Sequence, residues 1–159
     1  MKNQNFLVIG GSKGIGQEIV KRLKNSRATV YVVSKQKNRF IEENGITHLS
    51  LDITGEDLSA LKEFMPDQLN GLAYCPGSIT LRPFQSLKMS DFISDLDINL
   101  FGFIKVLQQA LPSLKKSNAS SVIAFSTVAT RVGLNFHASI SAAKAAVEGL
   151  SISLASEYS

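Results

Sequence analysis

Residues 5–23 read NFLVIGGSKGIGQEIVKRL, and the fold turns on how that stretch is parsed. Asn5 to Gly10 is a short apolar run that stops at glycines, the pattern of a strand buried on both faces. After Gly16 the period changes. Ile15, Ile19, Val20 and Leu23 recur at helical spacing with charged residues between them, which predicts an amphipathic helix over 15–25. A buried strand entering a helix through a glycine turn is the opening unit of a parallel sheet wrapped by helices.

The rest of the chain repeats that alternation. ATVYVVS (28–34), ITHLSLD (46–52), LNGLAYC (69–75) and SSVIAFS (120–126) read as further strands. Between them a short helix is expected over 38–44 and another over 56–64, capped by Thr54 with Glu56 and Asp57 in its first turn. A long helix over 91–111 is expected, capped by Ser90 and ending or kinking near Pro112. PGSITLRPF (76–84) reads as loop, and a last helix runs from about 138. Crossovers of this length require parallel neighbours. The expectation is one α/β domain over 1–159, a Rossmann-type doubly wound parallel sheet of five strands in the order 3-2-1-4-5 with helices on both faces.

Composition fits a globular chain of one domain, at 44% hydrophobic and 19% charged over 159 residues. No apolar run reaches the roughly 18 residues of a membrane-spanning helix, so no membrane role is expected. The single cysteine, Cys75, excludes an internal disulfide and fits a reducing compartment, so the expected location is cytoplasmic. Residues 1–40 hold nine Lys/Arg against one acid, Glu18, which raises nucleic acid as a partner. Few aromatics interleave those charges, and a small-molecule phosphate site on solvated helix faces is the reading favoured over nucleic acid.

The glycine segment IGGSKGIG (9–16) carries the first chemistry. Gly10 permits the turn off the strand, while Gly14 and Gly16 admit a pyrophosphate to the helix N-terminus, with Ser12, Lys13 and Ile15 between them. The spacing is Gly-x3-Gly-x-Gly, since Ile19 stands where the stricter G-x-G-x-x-G pattern has its last glycine. A purely structural turn is the alternative. An NAD site usually sets a carboxylate about 20 residues on, against the ribose hydroxyls. Here the second strand ends Val33-Ser34-Lys35, and Lys13 and Lys35 suit a 2′-phosphate instead. NADP(H) is therefore expected in preference to NAD(H), and no metal.

Taken together, these motifs resemble the short-chain dehydrogenase/reductase family along all 159 residues. Gly10, Gly14 and Gly16 match its glycine motif, with Ile9 in place of the usual threonine. Asp52-Ile53 resembles the pair that contacts adenine. Tyr74-Cys75-Pro76-Gly77 stands where the family has Asn-Asn-Ala-Gly, which places Cys75, Pro76 and Gly77 at the cofactor. Asn99 in DINLFG matches the asparagine that holds a proton-relay water, Thr127 falls at the catalytic serine, and SAAKAAVEGL matches the helix carrying the family lysine, Lys144. The tyrosine position is Ile140.

That last substitution defines the chemical question. The resemblance implies hydride transfer between NADPH and a carbonyl or enoyl substrate, with a tyrosine supplying the proton and the lysine one turn away lowering its pKa. Isoleucine has no proton to give, and Ile140 equally completes an apolar stripe with Ala143, Val147, Leu150 and Leu154. Lys144 keeps a second implied duty, holding the nicotinamide ribose. His137, seven residues before Lys144, is a substitute donor by its titration range, and a capping residue by its place at a helix start. The resemblance also implies that the family's C-terminal strands and substrate loop lie outside 1–159, leaving the substrate pocket incomplete within them. It implies, too, a homo-oligomer through the last two long helices. Two functions are thus open: an NADP-dependent reductase acting on a small molecule, or a catalytically impaired NADP(H)-binding relative serving as a sensor or interaction protein.

Overall fold

The aliphatic runs become strands and the periodic segments helices, in the order β1 (Asn5–Ile9), α1 (Gly14–Asn25), β2 (Thr29–Ser34), α2 (Arg39–Glu43), β3 (Thr47–Ser50), α3 (Ser59–Phe64), β4 (Gly71–Tyr74), α4 (Met89–Leu96), α5 (Gly102–Lys115), β5 (Ser121–Ala124), α6 (Ala129–Val132) and α7 (Ala138–Glu157). This computed structural model describes residues 1–158. They divide into two compact units, residues 1–76 with 105–124, and residues 77–104 with 125–158.

The first unit holds the sheet. Its strands pair in parallel in the order β3-β2-β1-β4-β5, as the alternation requires. Central strands are buried on both faces: all of β4, and Leu7, Val8 and Ile9 of β1, which sit opposite Tyr31, Val32 and Val33 of β2. Val8, Val20, Val30, Val32, Ile41, Ile46 and Ala73 form one cluster, against which Ile19, Leu23, Phe40 and Cys75 pack. Each such side chain removed from water contributes roughly 1.5–3 kcal/mol. On the far side Tyr31 meets Phe64 edge to face, with ring centres 5.7 Å apart. Val122 and Ile123 of β5 are exposed, because β5 is the edge of the sheet.

The second unit is helical. A single 3₁₀ turn, Phe84–Ser86, precedes α4, and α4 passes into a π-helical turn over Asp97–Phe101. Ser139, Ile140, Ala143 and Val147 are the buried residues of α7, whereas Leu150 and Leu154 of the expected stripe are only half-buried.

Three local expectations are corrected. Thr54 caps nothing: its N–H and hydroxyl both donate to Asp52 (3.1 and 2.8 Å), and Asp57 takes the N–H and hydroxyl of Ser59 (2.8 and 3.0 Å). Those side-chain turns compete with the helix, so α3 starts at Ser59 rather than 56. Ser90 is likewise not the cap of α4. Asp91 accepts the Lys88 N–H at 2.9 Å, which starts the helix two residues earlier than Ser90 allows. Pro112 lies inside α5, which continues to Lys115, and the departure from α geometry falls instead at the π turn. The turns 84–86 and α6 are too short to show a period in the sequence.

Candidate active site

In the first unit the site begins where β1 stops. The Gly10 N–H donates to Val33 O at 2.7 Å, extending the ladder by one residue before the chain turns. Gly14 opens α1 at φ 56°, a left-handed conformation, with no atom within 4 Å of where a Cβ would stand. Gly16 is different, since a Cβ there would fall 2.3 Å from Gly10 O. The cap residue Lys13 is extended and its side chain makes no cap hydrogen bond, which leaves the first N–H groups of α1 without a side-chain cap among the described residues. Ile15 is exposed beside them. The Ser12 carbonyl is held by the amide of Asn38, whose other end caps α2 by accepting the Ile41 N–H at 3.1 Å. Asn38 escaped the sequence reading as a support of the glycine loop. Its cap position is legible, but its partner 26 residues away is not.

The end of β2 is also built from side chains. Ser34 Oγ donates to Gln36 O at 2.8 Å and lies 2.8 Å from His48 Nε2. Burial, and then the charge of Lys37, push the His48 pKa down. Lys35 pairs with Asp52 at 2.8 Å, so the residue expected at a 2′-phosphate and the one expected at adenine are brought together. Lys35 and the Thr54 groups hold the Asp52 carboxyl down to about 2. A depressed carboxyl stabilises the fold above its unfolded value and loses that contribution as pH falls toward 2. The difference in Tm between the wild-type chain and Asp52→Asn should therefore narrow between about pH 5 and about pH 3. A constant difference would show that the pair is worth nothing to the fold. Ile53 is buried, the Cys75 N–H donates to Ile9 O at 3.0 Å, and burial pushes the Cys75 thiol up to about 11. Pro76 follows at the end of this unit.

The second unit brings Gly77, Asn99 and Lys144 together. A Cβ on Gly77 would lie 3.2 Å from Asn99 Oδ1 and 3.9 Å from Lys144 Nζ. Asn99 sits in the π turn, 1% exposed, a segment type that often marks functional sites. Its Nδ2 donates to Asp95 O at 2.8 Å, while Oδ1 is buried with no partner among the described residues. Lys144 is half-buried, and desolvation pushes its ammonium below the usual lysine range. Ile140 is 4% exposed, one turn earlier on α7.

Thr127 and His137 are placed separately. Thr127 Oγ1 accepts the Ala129 N–H at 3.3 Å. Its segment is fastened to α7 by Glu148, which accepts hydrogen bonds from Ser126 and from Thr130 Oγ1 (2.8 Å) and an ion pair from Arg131 (3.0 Å). Those bonds hold the Glu148 carboxyl below the usual range. His137 precedes α7 without capping it, and its Nδ1 lies 2.7 Å from Asn135 O. In the neutral ring that bond places the proton on Nδ1 and leaves Nε2 as an acceptor. Beside it, Phe136 holds φ 68°, and an open groove of about 590 Å³ is lined by Pro83, Phe84, Gln85, Asn135 and Phe136. Glu148 and the groove carried no periodic or motif signal in the sequence.

Comparison with known proteins bears on the fold and the family. A Helicobacter pylori protein named as a probable short-chain type dehydrogenase/reductase, VdlC, is 29% identical over 154 residues, covering 93% of this chain and 57% of its own length. Estradiol 17-beta-dehydrogenase 1 of Rattus norvegicus is 27% identical, covering 98% of this chain and 50% of its own. The chain thus spans about half the length of these relatives. A short chain dehydrogenase from Salmonella enterica superposes with a TM-score of 0.89 at 22% identity, over 99% of this chain and 71% of that one. A Shigella flexneri structure complexed with NADP gives 0.87 at 24%, over 99% and 73%. These superpositions establish the shared fold. The family model for short chain dehydrogenase matches residues 4–159, and the chain belongs to that family.

Proposed function

We propose that this chain is the cofactor-binding part of an NADP-dependent oxidoreductase that moves hydride between NADP(H) and the carbonyl or enoyl group of a small molecule. The observation that carries the reading is the orphaned Asn99 Oδ1 beside Gly77, with the ammonium of the half-buried Lys144 on the same side. A buried acceptor without a donor is costly, and a ribose hydroxyl or a water held by the cofactor fits it. The α1 N-terminus, with no side-chain cap, fits a pyrophosphate in the same way. Lys35, where an NAD enzyme would carry an acid, favours the 2′-phosphate, and the NADP-bound Shigella flexneri structure has this fold.

When bound, the cofactor supplies or accepts the hydride. The chain's own residues do the rest. Gly10 to Gly16 with Ser12 and Lys13 hold the pyrophosphate; Ser34 and Lys35 face the 2′-phosphate; Asp52 and Ile53 face the adenine; Cys75, Pro76 and Gly77 line the approach to the nicotinamide. Lys144 binds the ribose hydroxyls through its ammonium. Thr127 donates its hydroxyl to the substrate oxygen, and Asn99 Oδ1 accepts from a water. Ile140 supplies no proton, so in this reading His137 would give one from Nε2 of its imidazolium form. Ile140 packed into the core favours a second reading, a cofactor-binding relative without turnover. In both, copies of the chain associate through α4–α5 and α7.

A fluorescence titration with NADPH and NADH tests the site, using the wild-type chain, Lys13→Ala and Lys144→Ala. Saturable binding that prefers NADPH and weakens about tenfold in each variant is the expected result. Absence of binding by a folded chain would overturn the cofactor reading. Binding without oxidation of NADPH by any ketone or enone would leave the second function.

A further inference from the structure

Asp95 is a fully buried carboxylate that the proposed chemistry does not use. It lies on α4 at 0% exposure, and among the described residues no lysine, arginine or histidine pairs with it. Its only side-chain partners given by the structure are two hydroxyls: Ser78 Oγ donates to Oδ1 at 2.6 Å and Ser139 Oγ to Oδ2 at 2.7 Å. Two neutral donors are few for a buried anion, which accepts at about four sites. Stability alone would favour apolar side chains at Asp95 and its two serines together, since exchanging a whole buried polar cluster for hydrocarbon is often neutral or stabilising.

What the carboxylate does is set direction. A carboxylate only accepts, so Ser78 must spend its single proton on Asp95 and can meet Asn99 Nδ2, 3.4 Å away, only as an acceptor. The other Nδ2 hydrogen goes to the Asp95 main-chain carbonyl at 2.8 Å. Both arms draw the amide nitrogen toward Asp95, and a flipped amide would set oxygen against oxygen twice. Oδ1 is thereby turned to the side of Gly77 and Lys144. The second carboxylate oxygen holds Ser139, in the first turn of the helix that carries Lys144.

We propose that Asp95, held between Ser78 and Ser139, is a positioning residue that aims the Asn99 carboxamide oxygen and seats the first turn of α7 for the nicotinamide end of the cofactor. This rests on the cofactor reading above, and the test separates the two. Adenosine 2′,5′-bisphosphate lacks the nicotinamide half and has a single phosphate at 5′, so it reports the groups that hold adenine, the 2′-phosphate and the first 5′-phosphate alone. Asp95→Leu leaves the Ser78 and Ser139 hydroxyls without their acceptor, so it should lower Tm, yet leave affinity for the bisphosphate unchanged and weaken NADPH about tenfold, the loss of one well-placed hydrogen bond. Asp95→Asn, which keeps one acceptor, should recover part of that loss. Unchanged NADPH affinity in Asp95→Leu, or equal losses for both ligands that track a fall in Tm, would overturn the proposal.

If the wild-type chain binds neither ligand, the cofactor reading falls and the unliganded chain decides the positioning claim. With asparagine labelled by ¹⁵N, the Asn99 side-chain protons should exchange slowly in the wild type and markedly faster in Asp95→Leu and in Ser78→Ala. Ser78→Ala removes one arm only, and serves where Asp95→Leu does not fold. Equal protection in all three would sink it.

Discussion

Gly16→Ala is expected to abolish nucleotide binding, with NADPH affinity falling at least about 100-fold, or about 2.7 kcal/mol. The added Cβ would stand 2.3 Å from the Gly10 oxygen and 2.9 Å from its carbonyl carbon, and neither is the movable end of a side chain. Relief requires the turn between β1 and α1 to open, which moves the α1 N–H groups away from any anion they could hold. Overpacking of this kind costs about 1–3 kcal/mol and should lower Tm by several degrees. Gly14→Ala is the control. It meets no atom within 4 Å and suffers only its φ of 56°, a penalty of about 1–2 kcal/mol without displacement of the turn. Titration and thermal unfolding of both variants check this. If Gly16→Ala binds NADPH as the wild type does, the glycine turn is structural and holds no pyrophosphate.

Ile140→Tyr is expected to raise NADPH-dependent ketone reduction by about 10²–10⁴, the usual worth of a general acid. The new phenol would sit one turn from Lys144, whose ammonium favours the phenolate. Residue 140 is 4% exposed, so the larger ring should cost about 1–3 kcal/mol of stability. Ile140→Phe carries the same bulk without the hydroxyl. NADPH oxidation against a panel of ketones should rise in the tyrosine variant alone. A rise in both variants, or in neither, would mean that the lack of a phenol at 140 is not what limits this chain, and no rise in either is what a working His137 donor requires.

The sheet was readable because each strand announces itself locally. Val8, Val32 and Ala73 are apolar in unbroken runs, and such runs joined by crossovers leave only a parallel order to choose. Asn99 and Lys144 were legible as family positions, and the structure sets both beside Gly77. Hydrogen bonds spanning the sequence were not readable. Asp95 looks like one more helix-surface acid until Ser78 and Ser139, 17 and 44 residues away, are folded against it. Thr54 and Ser90 misled for the opposite reason. Both are good caps by type, but Thr54 is turned back onto Asp52, and Asp91 reaches back to the Lys88 N–H so that α4 starts before Ser90.

The single cysteine has a use of its own. Cys75 packs against the core cluster of the first unit, and its thiol is almost wholly protonated near neutral pH. Thiolate is the reactive form, so alkylating reagents gain their target chiefly when this part of the sheet opens. Cys75 is half-buried in the closed fold, and the part of its labelling rate that rises when the strand leading to Gly77 opens reports that opening with no probe introduced.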